Sequence, residues 1–319
     1  MGAQYWSVYV SASLSEPEAV QATIEQIDVT RRLIARYPQD LQLALSAQDV
    51  EAALKAGRIA SLIGMEGGHS IGSSLAVVRQ MYALGARYMT LTHSKNTPWA
   101  DSATDTPAHD GLTDFGRDLV REMNRIGMQV DLSHVSEATM HDALDVARAP
   151  VIFSHSGARA INGHARNVPD SVLKRLPQNG GVVMVTYVPG FVSAERREWD
   201  LKKTAIAGRA KTEHVGNPAG EKAAVDAWIA ANPMPRATLA QVADHIDHIR
   251  KVAGIEHIGI GGDFGGVDEL PDGLQDVSTY PALFAELARR GYTKADLAKI
   301  SQGNVLRVMR GVEKAAKLR

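Results

Sequence analysis

Short apolar runs alternate with segments of helical periodicity along most of this 319-residue chain, and that alternation limits the fold more than any other feature. Val151-Ile152-Phe153 and Val182-Val183-Met184-Val185 are apolar throughout, as expected of parallel strands covered on both faces. Strands are expected near residues 59–65, 87–92, 128–133, 150–154, 181–187 and 257–262, preceded by one over residues 4–10. Helices are expected near 72–84, 113–126, 136–147, 169–176 and 238–253. An earlier helix has Pro17 in its first turn and Val20, Ile24, Ile27, Leu33 and Ile34 at near-helical spacing. The tail from Asp276 to Leu318 reads as two or three further helices. Alternation of this kind builds a parallel sheet from right-handed βαβ units, here an α/β, TIM-like (β/α)8 barrel in one domain spanning residues 1–319.

Five of the expected strands end on a residue that can bind a metal or move a proton. They stop at Glu66, His93, His134, His155 and Asp263. In a parallel barrel all strand C-termini meet on one face, so these side chains would converge on one pocket. Taken singly, each has a plain alternative. A histidine after a strand is more often structural, Glu66 could cap the next helix, and Asp263 could be a turn aspartate. Jointly those alternatives weaken, because five strand ends carry the same class of residue. Glu66, His134 and His155 form a carboxylate and bis-imidazole set of the kind that holds catalytic zinc with an open position. The Gly-rich Gly259–Gly266 segment is not a dinucleotide fingerprint, since Phe264 interrupts it and Asp263 would repel a pyrophosphate.

The bulk properties remove other classes. The net charge of −1 comes without a basic stripe, so nucleic acid is not an expected partner. There is no cysteine, which excludes disulfides, thiolate zinc sites and a cysteine nucleophile. No apolar run nears the roughly 20 residues that span a bilayer. The opening residues lack the pattern of a signal peptide, and a cytoplasmic location is the expectation. The longest irregular stretch, about 189–236, follows a strand and would lie on the functional face, either as a lid or pocket wall or as a solvated helical insertion.

The motifs Ile63-Gly64-Met65-Glu66-Gly67-Gly68-His69-Ser70, Leu91-Thr92-His93-Ser94-Lys95-Asn96-Thr97-Pro98-Trp99-Ala100-Asp101, Asp131-Leu132-Ser133-His134-Val135-Ser136, Phe153-Ser154-His155-Ser156, Arg166-Asn167-Val168-Pro169-Asp170 and Gly261-Gly262-Asp263-Phe264 occur in this order. Together they resemble the membrane dipeptidase family of zinc peptidases, from about Gly2 to Val312 apart from the 189–236 insertion. The resemblance implies a (β/α)8 barrel, usually homodimeric, that hydrolyses dipeptides with a metal-bound hydroxide. It implies that Glu66 bridges two zinc ions and that His134 and His155 complete the shell of one. His93 would stabilise the oxyanion, Arg166 would clamp the free C-terminal carboxylate, and Asp263 would shuttle the proton to the leaving amine.

One element of the family pattern has no counterpart. Its first strand ends in a His-x-Asp pair that ligates the other zinc, and seven expected strands leave that one uncounted. His245-Ile246-Asp247 matches by letters only, because it lies in a helical pattern where i and i+2 diverge; a surface helix is expected there. At most one zinc is therefore expected to be well liganded. Two alternatives to the dipeptidase stand beside it: a non-catalytic remnant that binds metal or peptide, and a barrel amidohydrolase acting on a non-peptide amide or lactam. Of the other histidines, His69 reads as structural, and His109, His141, His164, His214, His248 and His257 read as solvated.

Overall fold

Seven strands form one continuous parallel path in the computed structural model, which describes residues 1–317. They are β1 (Ala3–Tyr9), β3 (Ile59–Glu66), β4 (Ala86–Thr90), β5 (Gln129–Asp131), β6 (Ile152–Ser156), β7 (Val182–Val185) and β8 (Ile258–Ile260), in that spatial order. An eighth strand, β2 (Leu41–Leu43), lies off this path and pairs with the first residues of β3. Among the described residues no ladder joins β8 back to β1. The fold is a TIM-like α/β barrel with a seam there, and β2 does not fill it.

The register explains why one rim carries the chemistry. Tyr9 pairs with Glu66, Thr90 with Asp131, Ser156 with Val185, and Val185 with Ile260. Because the strands run parallel, residues just beyond these pairs emerge at the same end of the sheet. The strands are held by apolar residues on both faces: Leu62, Ile63, Met65, Val130, Phe153, Val183 and Ile258 are all buried.

The helices start and stop where local chemistry directs. Thr113 accepts a hydrogen bond from Gly116 N–H at the start of the helix Asp114–Ile126, and Gly127 ends it in the left-handed region at φ 86°. That helix buries Leu119, Val120 and Met123 against the sheet. The first helix, Glu16–Arg36, buries Ala19, Thr23, Ile27, Thr30 and Ile34. Ile24, expected in its apolar stripe, is instead 43% exposed, because two small threonines occupy the inward positions.

Other expectations need correction. The strand β2 and the helix Ala47–Lys55 are present where neither was expected. Residues 189–236, for which a helical insertion was one of the two expectations, contain a short turn Pro189–Val192 and two helices, Ala194–Glu213 and Pro218–Ala231, packed through Trp199 and Trp228 with ring centroids 5.4 Å apart. His245 is not on a surface helix face but wholly buried: Ala158 N–H donates to its Nδ1 at 2.8 Å, and its Nε2 lies 3.0 Å from Val192 O. His257 is buried with Nδ1 2.7 Å from Gly181 O, and His164 is half-buried against Phe191. Each histidine meets a loop carbonyl, amide or ring that periodicity alone does not reveal. The expected tail helices include Tyr280–Arg289 and Asn304–Lys317, while Leu318 lies outside the described residues. No described helix is long and apolar enough to cross a membrane.

Candidate metal centre

Glu66 is the last residue of β3, His155 lies within β6, and His134 follows β5 in a left-handed conformation at φ 69°. That conformation is uncommon for a residue with a Cβ and turns the imidazole back over the rim. The three side chains converge. His134 Nε2 lies 3.1 Å from Glu66 Oε1, His155 Nε2 lies 3.3 Å from the same oxygen, and the two Nε2 atoms are 2.9 Å apart. A tetrahedral ion with bonds of about 2.0–2.1 Å would set its ligand atoms roughly 3.3 Å apart. The donor set therefore fits a divalent cation in both chemistry and spacing. Among the described residues this is the one group of three such side chains whose ligand atoms lie together.

The second oxygen of Glu66 is engaged as well: Ser7 Oγ on β1 donates to Oε2 at 2.6 Å. Burial pushes the Glu66 carboxyl up, but the imidazoles of His134, His155 and His93 outweigh it and hold the group well below the usual carboxylate range. Burial, with the Arg166 charge, drives His134 well below its ordinary value, so its ring is neutral as a ligand must be. Burial also disfavours charge on His155, yet Glu66 pulls it upward. A cation between them would take the place of that proton.

His155 is held from behind. Its Nδ1 lies 2.8 Å from Ser154 Oγ, which also lies 2.6 Å from Asp131 Oδ2. Asp131 is wholly buried and accepts from Thr90 Oγ1 at 2.6 Å and from the N–H groups of Ser133 and Ser154 at 3.0 and 2.9 Å. With both carboxylate oxygens accepting, Ser154 gives its single proton to Asp131. Its oxygen must then accept from His155 Nδ1–H, which leaves Nε2 as a lone pair facing Glu66 and His134.

The other candidates surround this tripod. His93, just past β4, stacks on His134 at 4.1 Å between ring centroids and lies 4.6 Å from the Tyr9 ring. Its Nε2 is 3.6 Å from Glu66 Oε1, and its buried Nδ1 has no protein partner. Arg166, in the loop after β6, is 2% exposed. It donates from Nη2 to His155 O at 3.3 Å, while Nε and Nη1 find no protein partner. Burial lowers its guanidinium to about 10, still fully charged near neutrality. Asp263 follows β8 in a left-handed conformation at φ 57°, and burial pushes its carboxyl above the usual range. All six expected residues thus lie on one rim. Ser7, Asp131 and Ser154 were not singled out from the sequence, although polar residues inside apolar strands were a usable signal.

Comparison with known proteins agrees with this architecture. The model of the membrane dipeptidase family, peptidase family M19, matches residues 1–319. Dipeptidase 3 of Rattus norvegicus is 43% identical over 318 residues, which is 98% of this chain and 56% of that protein. The chain thus spans about half the length of the curated relative it matches. The probable dipeptidase PvdM from Pseudomonas aeruginosa superposes with a TM-score of 0.88 at 25% identity, covering 99% of this chain and 87% of that one. A metallo peptidase from Rhodobacter sphaeroides, liganded with a phosphinate mimic of L-Ala-D-Ala, shares the fold with a TM-score of 0.80 at 20% identity, over 98% of this chain and 87% of its own. With a full-length family match and a relative this similar, the chain belongs to the membrane dipeptidase family, peptidase family M19.

Proposed function

We propose that this chain hydrolyses dipeptides with zinc held by Glu66, His134 and His155. The observation that carries this reading is the buried guanidinium of Arg166, charged and with two unpaired nitrogens, beside that tripod. Burying a charge without a partner costs several kcal/mol, so such a site is complementary to an anion. A dipeptide offers a carboxylate one residue from its only peptide bond, which matches an Arg fork next to a metal position.

Zinc, when bound, supplies a Lewis acid that polarises the scissile carbonyl and acidifies water. The chain's own residues do the rest. Arg166 binds the terminal carboxylate through its guanidinium and so fixes the peptide bond in register with the rim. His93, with its ring stacked on His134, faces the carbonyl oxygen and stabilises the charge that develops there. Asp263, whose burial favours the protonated form, accepts a proton from water and passes it to the departing amine. Asp131 and Ser154 keep His155 in the tautomer that presents a lone pair.

Zinc-loaded protein incubated with Ala-Ala and L-Ala-D-Ala should release free alanine. Chelator should abolish release and added zinc restore it. Glu66→Gln should lose both the bound zinc and the hydrolysis. Zinc bound normally by wild type without turnover of any dipeptide would leave the catalytic reading without support.

A further inference from the structure

A cavity of about 650 Å3 opens beside Arg166, between the loop after β6, the insertion helix Ala194–Glu213 and the loop after β8. Two rings form the partition. Arg166 N–H donates to His164 Nδ1 at 3.1 Å, the Arg166 guanidinium carbon sits 5.2 Å from the Phe191 ring centroid, and the His164 and Phe191 rings are 4.4 Å apart. His164 and Phe191 both line the cavity. A side chain on the residue whose carboxylate Arg166 holds would lie against these two rings, at the cavity's near wall.

The charges lining it are segregated. Arg196 occupies two of the acids, Asp200 at 3.0 Å and Glu269 at 2.6 Å, so neither is free to receive a cation. Asp268, the remaining acid, is exposed. Arg197 is half-buried at the end nearest Arg166, with Nη1 3.5 Å from where a Cβ on Gly163 would lie. Among the described residues its guanidinium has no carboxylate partner within ion-pair distance. Arg166 and Arg197, together with Arg159, surround His164, whose burial and cationic neighbours lower it to about 4 and keep the ring neutral. Arg197 and the exposed Lys203 thus line the cavity without carboxylate partners among the described residues, and Arg166 lies behind the wall formed by His164 and Phe191.

We infer that this cavity selects dipeptides whose C-terminal residue is acidic, with Arg166 taking the α-carboxylate and Arg197 the side-chain carboxylate. The inference rests on the dipeptide reading above and narrows its substrate class. It makes Arg197, contributed by the 189–236 insertion, a specificity-determining residue.

The test compares Ala-Glu with its neutral isostere Ala-Gln and with Ala-Lys, by kcat/KM on zinc-loaded protein and by calorimetric binding to chelator-treated protein. Ala-Glu should lead Ala-Gln by roughly tenfold in both measurements, the scale of one half-exposed charge-assisted pair. Arg197→Gln should bring the ratio to within about twofold of unity, and Arg197→Lys should keep part of it. A ratio near unity in wild type, a preference for Ala-Lys, or a preference that survives Arg197→Gln overturns the inference. Binding preference without hydrolysis of any dipeptide upholds the pocket and counts against the dipeptidase reading instead. Hydrolysis of all three at similar efficiency does the reverse.

Discussion

Ser154 Oγ lies 2.8 Å from His155 Nδ1 while lying 2.6 Å from the buried carboxylate of Asp131. The order of protons along this chain follows from donor counting, and it decides which nitrogen of His155 is free. Asp131→Asn would place an NH2 group among the hydroxyls of Thr90 and Ser154, which would have to reverse. Ser154 would then donate to Nδ1 and force the proton of His155 onto Nε2. Zinc affinity, measured by chelator competition, should fall by about 10–100-fold. A melting temperature reduced without any change in affinity would show that Asp131 only holds the strands together.

The alternation of apolar runs and helical patterns was enough to read the barrel, and the strand ends were enough to read its rim. Glu66, His134 and His155 converge because parallel register carries their strands to one edge, which a sequence pattern can express. What was not legible depended on packing between distant segments. The burial of His245 rests on contacts with Ala158 and Val192, far away in sequence. The strand β2, Leu41-Gln42-Leu43, is only three residues long, too short for its alternation to mark it. Nothing in the residues around Arg197 marks it in sequence, and its place beside Gly163 is set by the fold.

Glycines on the rim are fixed by space. A Cβ on Gly261 would lie 2.0 Å from Ser154 O and 2.9 Å from Met184 O, both backbone atoms that cannot turn aside. Gly261→Ala should cost about 3 kcal/mol by urea unfolding and disturb the strand that carries His155. Gly208, in the exposed helix Ala194–Glu213, has nothing within 4 Å of its Cβ position. There Gly208→Ala should stabilise by about 0.5–1 kcal/mol. Equal effects at the two sites would contradict the packing described around β8.

Glu122 ties two neighbouring helices, accepting from Arg125 at 2.6 Å twice and from Arg79 at 2.9 Å. The Arg125 bonds, partly opposed by burial, lower its carboxyl to about 2. A carboxyl depressed in the folded state contributes stability above its unfolded value and loses it as pH falls toward the folded one. Wild type should exceed Glu122→Gln by about 1 kcal/mol or less at pH 7, since both arginines are half-exposed. The gap should narrow between the ordinary glutamate value, 4.5, and about 2. A difference independent of pH would assign the loss to packing rather than charge.

Arg166 offers the sharpest separation of binding from chemistry. Its Nε and Nη1 are buried without protein partners, and the function proposed above assigns its charge to the terminal carboxylate of a dipeptide. Arg166→Ala should raise KM for Ala-Ala by roughly 10–100-fold, the worth of a charge-assisted pair, with a smaller change in kcat. The same factor should appear in wild type when the substrate is amidated at its C-terminus, because the amide removes the charge from the other side of the contact. In Arg166→Ala the free and amidated dipeptides should be turned over about equally, as the arms of a double-mutant cycle require when one interaction is shared. An amidated substrate still discriminated against by Arg166→Ala would place the carboxylate elsewhere on the rim.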